Sequence, residues 1–317
     1  MLDLEAVRTI VDAARPAHGA IPPGEPLWQA WSVDPPFLIP IALLAWWYAQ
    51  GLLRWRTRTR DHGFWRTLSF YSGIVVLVLA MESPLDRMGV HEFSMHMVQH
   101  ELLMMVAVPL MLLGAPTTPV LLGLPSWLRR GVVRPLAGRA PMRWLYRTLT
   151  RPMVAVGLFS AVFFGWHFGP GWYEAALRDQ KIHDIEHFTM TFAAILFWWN
   201  VIDPKPLHSR MNPVLQLMYQ FAAGLPKQFI AAAITFAPAP LYRYYADVRP
   251  VFSTSALDDQ VLAGLIMWIP GGTMMLGAMA LTFYVWAHRA EIEGKAEAEA
   301  FAAAHAARSS HGSPTDN

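Results

Sequence analysis

Residues 90–113 read V-H-E-F-S-M-H-M-V-Q-H-E-L-L-M-M-V-A-V-P-L-M-L-L. The second half is an unbroken apolar run, and the first half carries His91, His96 and His100. About twenty predominantly apolar residues are what a helix needs to cross the hydrocarbon core of a bilayer. An ionisable group placed there costs a few kcal/mol, about what a site or pathway for polar cargo would justify. The stretch therefore predicts a membrane-spanning helix, and one that carries chemistry.

Working outward, similar runs recur along the 317 residues, predicting seven spans at 36–53, 64–81, 90–113, 151–167, 183–201, 212–236 and 259–286. The composition agrees: 54% of residues are hydrophobic and 15% charged, against about 25% charged in soluble domains. Pro109, Pro226 and Pro270 fall inside spans, where neighbouring helices can satisfy the freed carbonyls. Gly264, Gly271, Gly272 and Gly277 in the last run let helices approach closely. The fold class is an all-α membrane protein, a seven-transmembrane-helix bundle.

Basic residues orient it. Arg54, Arg56, Arg58, Arg60 and Arg66 fill one loop, and Arg129, Arg130, Arg134, Arg139, Arg143, Arg147 and Arg151 fill the 114–151 loop without an acidic residue. Lys205, Arg210 and the tail residues Arg289, Lys295 and Arg308 fall on the same side, and the opposite segments are much poorer in Lys and Arg. Such an excess marks the cytoplasmic face, so the N-terminus is outside and the C-terminus inside, which an odd number of spans requires. Residues 1–35 read as an extracytoplasmic segment without the features of a cleavable signal. Residues 36–286 form the membrane domain, and residues 287–317 a charged, partly disordered cytoplasmic tail. The 114–151 loop is basic and amphipathic, suited to lying on an anionic leaflet. The net charge of +2 and the loop placement of the basic residues give no footprint for nucleic acid.

The orientation brings His96 and His100 (third span), His167 (end of the fourth) and His183 and His187 (start of the fifth) to one depth near the outer face. Residues four apart share a helix face, so each H-x-x-x-H is a bidentate unit. No cysteine is present, which excludes disulfides, thiolate sites and thiol nucleophiles. Imidazole suits Zn, Cu, Fe and Ni, and thioether selects Cu(I); Met95, Met97, Met104, Met105, Met190 and Met267 lie in the same runs. These donors favour copper. Glu186, Asp184, Glu92 and Glu101 could orient imidazole N–H groups. Haem b remains open, although axial ligation takes a histidine from each side of the ring. So does zinc: His183-Asp184-Ile185-Glu186-His187 matches H-x-x-E-H of zinc proteases. Lys227 lies inside the sixth span, paired with a carboxylate or at a functional break. Asp259 and Gln260 open the seventh, as helix caps or hydrogen-bond partners near the histidines. His62, His208 and His288 read as ordinary cytoplasmic-side residues.

Several ordered motifs carry a resemblance: H-M-V-Q-H-E-L-L-M-M-V-A-V-P-L-M-L-L-G-A-P at 96–116, W-H-F at 166–168, Y-E-A-A-L-R-D at 173–179, H-D-I-E-H at 183–187, L-F-W-W at 196–199 and D-Q-V-L-A-G-L-I-M-W-I-P-G-G at 259–272. With these the chain resembles, from about 31 to 286, the multi-pass CtaG family of cytochrome c oxidase assembly factors, which is distinct from the single-span copper chaperone of that name. The resemblance implies a non-enzymatic protein of the bacterial plasma membrane that helps mature a haem–copper oxidase and handles copper. Its partners would be oxidase subunits and an extracytoplasmic copper chaperone. It implies His96, His100, His167, His183 and His187 as metal residues, with Asp259, Gln260 and Met267 as lesser candidates; Glu101 departs from its pattern.

Overall fold

Helix is the only regular structure among the described residues of the computed structural model, which are 26–55, 62–202, 204, 211–248, 252 and 255–311. The expectations for residues 1–25, for the loop arginines 56, 58 and 60, for Lys205, His208 and Arg210, and for residues 312–317 lie outside them.

The long elements are α1 (Pro35–Arg54), α2 (Phe64–Glu82), α3 (Phe93–Leu113), α4 (Ala140–Leu149), α5 (Pro152–Phe168), α6 (Trp172–Arg178), α7 (Gln180–Ile202), α8 (Pro213–Thr235) and α9 (Ala256–His311). Proline at the first turn opens α1, α5 and α8, where its fixed φ suits the helix and its missing N–H costs nothing. The Asn212 side chain caps α8 by accepting the Leu215 amide at 2.7 Å, and Asp179 accepts the amides of Lys181 and Ile182 at the start of α7.

Five of these helices, α1, α2, α3, α7 and α9, are long and apolar enough to cross a membrane, and a sixth is added if α4 and α5, bent by 68°, count as one span. At 23 residues α8 has the length, but its sequence is diluted by Gln216, Gln220, Lys227 and Gln228. Gln220 and Lys227 are buried in the bundle, while Phe221 and Phe229 are 57% and 63% exposed. Charged and amide groups inside with aromatic rings outside is the distribution of a bundle whose solvent is lipid.

The core gathers Phe93, Met97, Leu103, Met104, Phe159, Phe197 and Met267, from α3, α5, α7 and α9. At the edge, α1 packs on the short helix Thr117–Gly123 with backbones touching: a Cβ on Gly51 would fall on Pro119 main chain, and one on Gly123 on Trp47 main chain. Such contacts replace the hydrophobic drive that lipid does not supply.

Helix α3 is α-helical to Glu101, opens into a π-helical stretch over Leu102–Ala107, and closes again at Val108–Leu113. Pro109 has no N–H for the carbonyl one turn back, and the widened turn accommodates the mismatch. The Trp198 indole N–H donates to the Met104 carbonyl at 2.8 Å, so the loosened ladder finds a partner. Much of the 114–151 segment is helical, and α4 sets Trp144 and Arg143, both exposed, on its surface. The last helix runs without a break from Ala256 to His311, joining the final apolar run to the charged stretch after Ala290. His62, expected as an ordinary loop residue, is instead buried, with its Nε2 3.2 Å from the Tyr48 hydroxyl; His288 stacks on Tyr284.

Candidate metal centre

The i,i+4 spacing does what helix geometry requires. On α3 the rings of His96 and His100 lie 4.3 Å apart, and on α7 those of His183 and His187 lie 4.2 Å apart. Across the interface His96 is 5.4 Å from His183 and 5.7 Å from His187, and His100 is 5.0 Å from His187. Four imidazoles, all buried, thus face one another between two helices.

Glu186 completes the group. It is fully buried, and its Oε1 lies 3.8 Å from His96 Nε2 and 3.9 Å from His100 Nε2. One donor atom each from His96, His100, Glu186 and His187 falls within 4.8 Å of every other. Neither Glu186 oxygen and neither ring nitrogen of His100 has a hydrogen-bond partner among the described residues. A buried carboxylate without donors is costly. A cation among these four residues would answer it, so the donor set fits a metal ion.

Surrounding groups set which ring nitrogens carry lone pairs. His187 Nδ1 is 3.1 Å from the Met81 sulfur. A thioether can only accept, so Nδ1 holds the proton and Nε2 is left to bind. By the same logic His167 Nδ1–H donates to the Phe163 carbonyl at 2.9 Å, leaving Nε2 as the lone-pair nitrogen.

His167 stands apart from the four. It is buried at the end of α5, stacked on the Tyr173 ring at 6.3 Å, and Tyr173 in turn meets His96 edge-on at 5.2 Å. One phenol ring therefore separates His167 from the cluster. His167 also lines a cavity of about 400 Å³ with Glu174, Tyr242 and Arg243. The Tyr242 hydroxyl donates to the His167 carbonyl at 2.9 Å, and the hydroxyls of Tyr173 and Tyr245 lie 3.0 Å apart. Burial pushes both of those phenols well above the ordinary range, which keeps them neutral.

The accessory candidates divide. Asp259 is a cap, but of a different helix: its carboxylate accepts the amides of Phe93 at 2.6 Å and Ser94 at 3.1 Å, at the start of α3. Gln260 pins the α8–α9 connection, accepting the Leu241 amide at 2.6 Å and donating to the carbonyls of Ile234 and Ala239. Glu101 turns away from the four-ligand group into an ion pair with Lys227 at 2.6 Å. The pair is possible because Gly271 faces it: a Cβ there would lie 2.7 Å from both Glu101 oxygens and closer still to Lys227 Nζ. Asp184 is exposed and accepts from Gln180, and Glu92 accepts the Phe252 amide. Met267 is core, and the residue that brings sulfur to the histidines is Met81. Gln99 was not singled out in the sequence. Its side chain donates to Asp86 at 2.6 Å and to the Ala80 carbonyl, holding α3 against the end of α2.

Known proteins give this geometry a context. Uncharacterized proteins of Mycobacterium bovis and Mycobacterium tuberculosis are each 28% identical over 232 residues, 71% of this chain and 34% of the relative. One of Mycobacterium leprae is 26% identical over 230 residues, covering 70% and 34%. The chain thus spans about a third of the length of these curated relatives. No solved structure matches it. The sequence pattern of the cytochrome c oxidase caa3 assembly factors (Caa3_CtaG) matches residues 46–289, a stretch that holds every histidine of the cluster, and the chain belongs to that family.

Proposed function

We propose that this protein binds copper as Cu(I) at His96, His100, Glu186 and His187, with His183 and His167 beside them, and passes it to a subunit of the haem–copper oxidase it helps assemble. The observation that carries the reading is the Glu186 carboxylate, buried without a hydrogen-bond donor and surrounded by imidazoles. Neutral imidazoles and one carboxylate balance a monovalent cation. A divalent ion would leave a net positive charge in a low-dielectric interior, where it is poorly tolerated. That argument, with the Met81 sulfur at the edge of the group, favours Cu(I) over zinc. Four donors crowded about one point suit an ion better than a macrocycle, which weighs against haem.

The frame for this chemistry is seven spans in the bacterial plasma membrane, N-terminus outside and C-terminus cytoplasmic. The 36–286 region is the membrane domain and 287–317 the cytoplasmic tail. An extracytoplasmic chaperone would donate the metal at the outer face. Transfer would proceed by ligand exchange, the acceptor's ligands replacing these one at a time.

The test is metal analysis of the protein in nanodiscs after Cu(I) loading and desalting. About one copper per chain is expected in the parent protein, and a severe loss in His96→Ala and Glu186→Gln. Equal copper in parent and variants would overturn the reading.

A further inference from the structure

A cavity of about 350 Å³ lies between α1, α2 and α7 and reaches His187. Three carboxylates line it: Asp184, which is exposed, Asp34, which is half-buried, and Glu82, which is buried. Beyond them are Met81 and His187, also buried. Asp184 and Asp34 are thus the accessible carboxylates of the lining, while Glu82, Met81 and His187 are all buried. The acidic rim is a built feature: the Glu82 Oε2 accepts the Asp34 amide at 3.0 Å, and the Glu82 carbonyl accepts the Ser32 amide, strapping the segment before α1 across the end of α2. The remaining walls, including Phe37, Leu77 and Leu103, are apolar.

The donors that line the cavity differ in what they hold. Carboxylates attract cations of any kind and hold a soft one weakly. A thioether favours a soft monovalent cation over a borderline divalent one. Met81 then hands on to the ring it already touches: its sulfur is 3.1 Å from the protonated His187 Nδ1, and the metal passes to the lone pair on Nε2 of the same ring. We propose that this cavity is the loading route of the metal centre, with Asp34, Glu82 and Asp184 collecting the cation and Met81 acting as the transient ligand that delivers soft monovalent metal to His187. The proposal rests on the metal-binding reading above and assigns it a port of access and a selecting residue.

The cysteine-free chain allows a test that does not disturb folding. Thr191 lines the cavity, is half-buried, and lies outside the ligand group. A Thr191→Cys variant is purified in nanodiscs, and half of it is alkylated with a bulky maleimide after folding. Each sample, with Met81→Leu and the parent, receives bicinchoninate-buffered Cu(I) or Zn(II), and both the initial loading rate and the final metal per chain are read. Alkylation is expected to slow loading of both metals on the order of tenfold or more. Met81→Leu, a swap of similar volume, is expected to slow Cu(I) by a similar factor and leave Zn(II) unchanged. Final copper per chain stays at the parental value in both.

Parental Cu(I) rates in the alkylated protein would overturn the route, and this is also the outcome if the apolar walls merely hold a lipid chain. Equal slowing of Cu(I) and Zn(II) by Met81→Leu, or a loss of final copper rather than rate, would overturn the role of Met81. If His96→Ala still abolishes binding in these cases, the metal centre stands and the route alone falls. A parent that binds no copper overturns both.

Discussion

The Asp259 carboxylate accepts the Phe93 amide at 2.6 Å, joining the first turn of α9 to the first turn of α3. A carboxylate at a helix N-terminus satisfies otherwise unpaired amides and opposes the helix dipole. Here the cap comes from a residue 166 positions away in sequence, and the capped helix carries His96 and His100 on its next turns. Asp259→Ala is expected to cost about 1 kcal/mol and to speed copper release, because the two imidazoles lose their axial anchor. Thermal unfolding in detergent and a copper-release time course check this; an unchanged release rate would count against it.

Glu101 and Lys227 make the second long-range tie, between α3 and α8. Breaking a buried pair strands one charge, at a cost of about 3–5 kcal/mol, whereas replacing both partners with apolar residues is often neutral. Glu101→Gln and Lys227→Met should each lower the unfolding midpoint sharply, and the double variant Glu101→Leu/Lys227→Met should recover most of the loss. Gly271→Ala should act like a single break, since its Cβ occupies the space of the pair. A double variant as unstable as either single would sink the account.

Glu186 should separate stability from binding. Glu186→Leu removes a buried carboxylate that no donor satisfies, so the metal-free protein should melt higher than the parent. The same variant should bind Cu(I) at least about tenfold more weakly. A lower midpoint in the metal-free variant would mean that Glu186 serves packing.

Topology is open to chemistry because any introduced cysteine is unique. Lys181 precedes the first histidine of α7, and Lys295 lies in the tail; both are exposed. A membrane-impermeant maleimide should label Lys181→Cys in intact cells and Lys295→Cys only after permeabilisation. Labelling of both from one side would require an even number of spans between them.

The histidine pairs were legible in the sequence because two local rules coincide: i,i+4 residues share a face, and imidazole in an apolar run is costly. Helical periodicity only partly sorts the carboxylates. At about 100° per residue, Glu186 and Asp184 fall about equally far to either side of the His183–His187 direction, so the helix alone does not choose between them, whereas Glu101 points far from His96 and His100. The seven apolar runs were visible, but α8 reads as weakly apolar because its polar side chains point inward. Asp259 capping α3, Met81 touching His187 and Gly271 facing an ion pair depend on which helices become neighbours. No local pattern encodes that.

The π-helical stretch Leu102–Ala107 begins at the residue after Glu101. Below it the side chains of α3 are phased differently from those above, so the span behaves as two rods with separate rotational settings. The upper rod answers to Asp259, Glu186 and Lys227, and the lower one to Trp198 and the packing around Leu112. Small turns of the upper rod as ligands close on a metal can be absorbed at the wide turn. A tug at the donor atoms is then expected to be taken up at the wide turn before it reaches the lower rod.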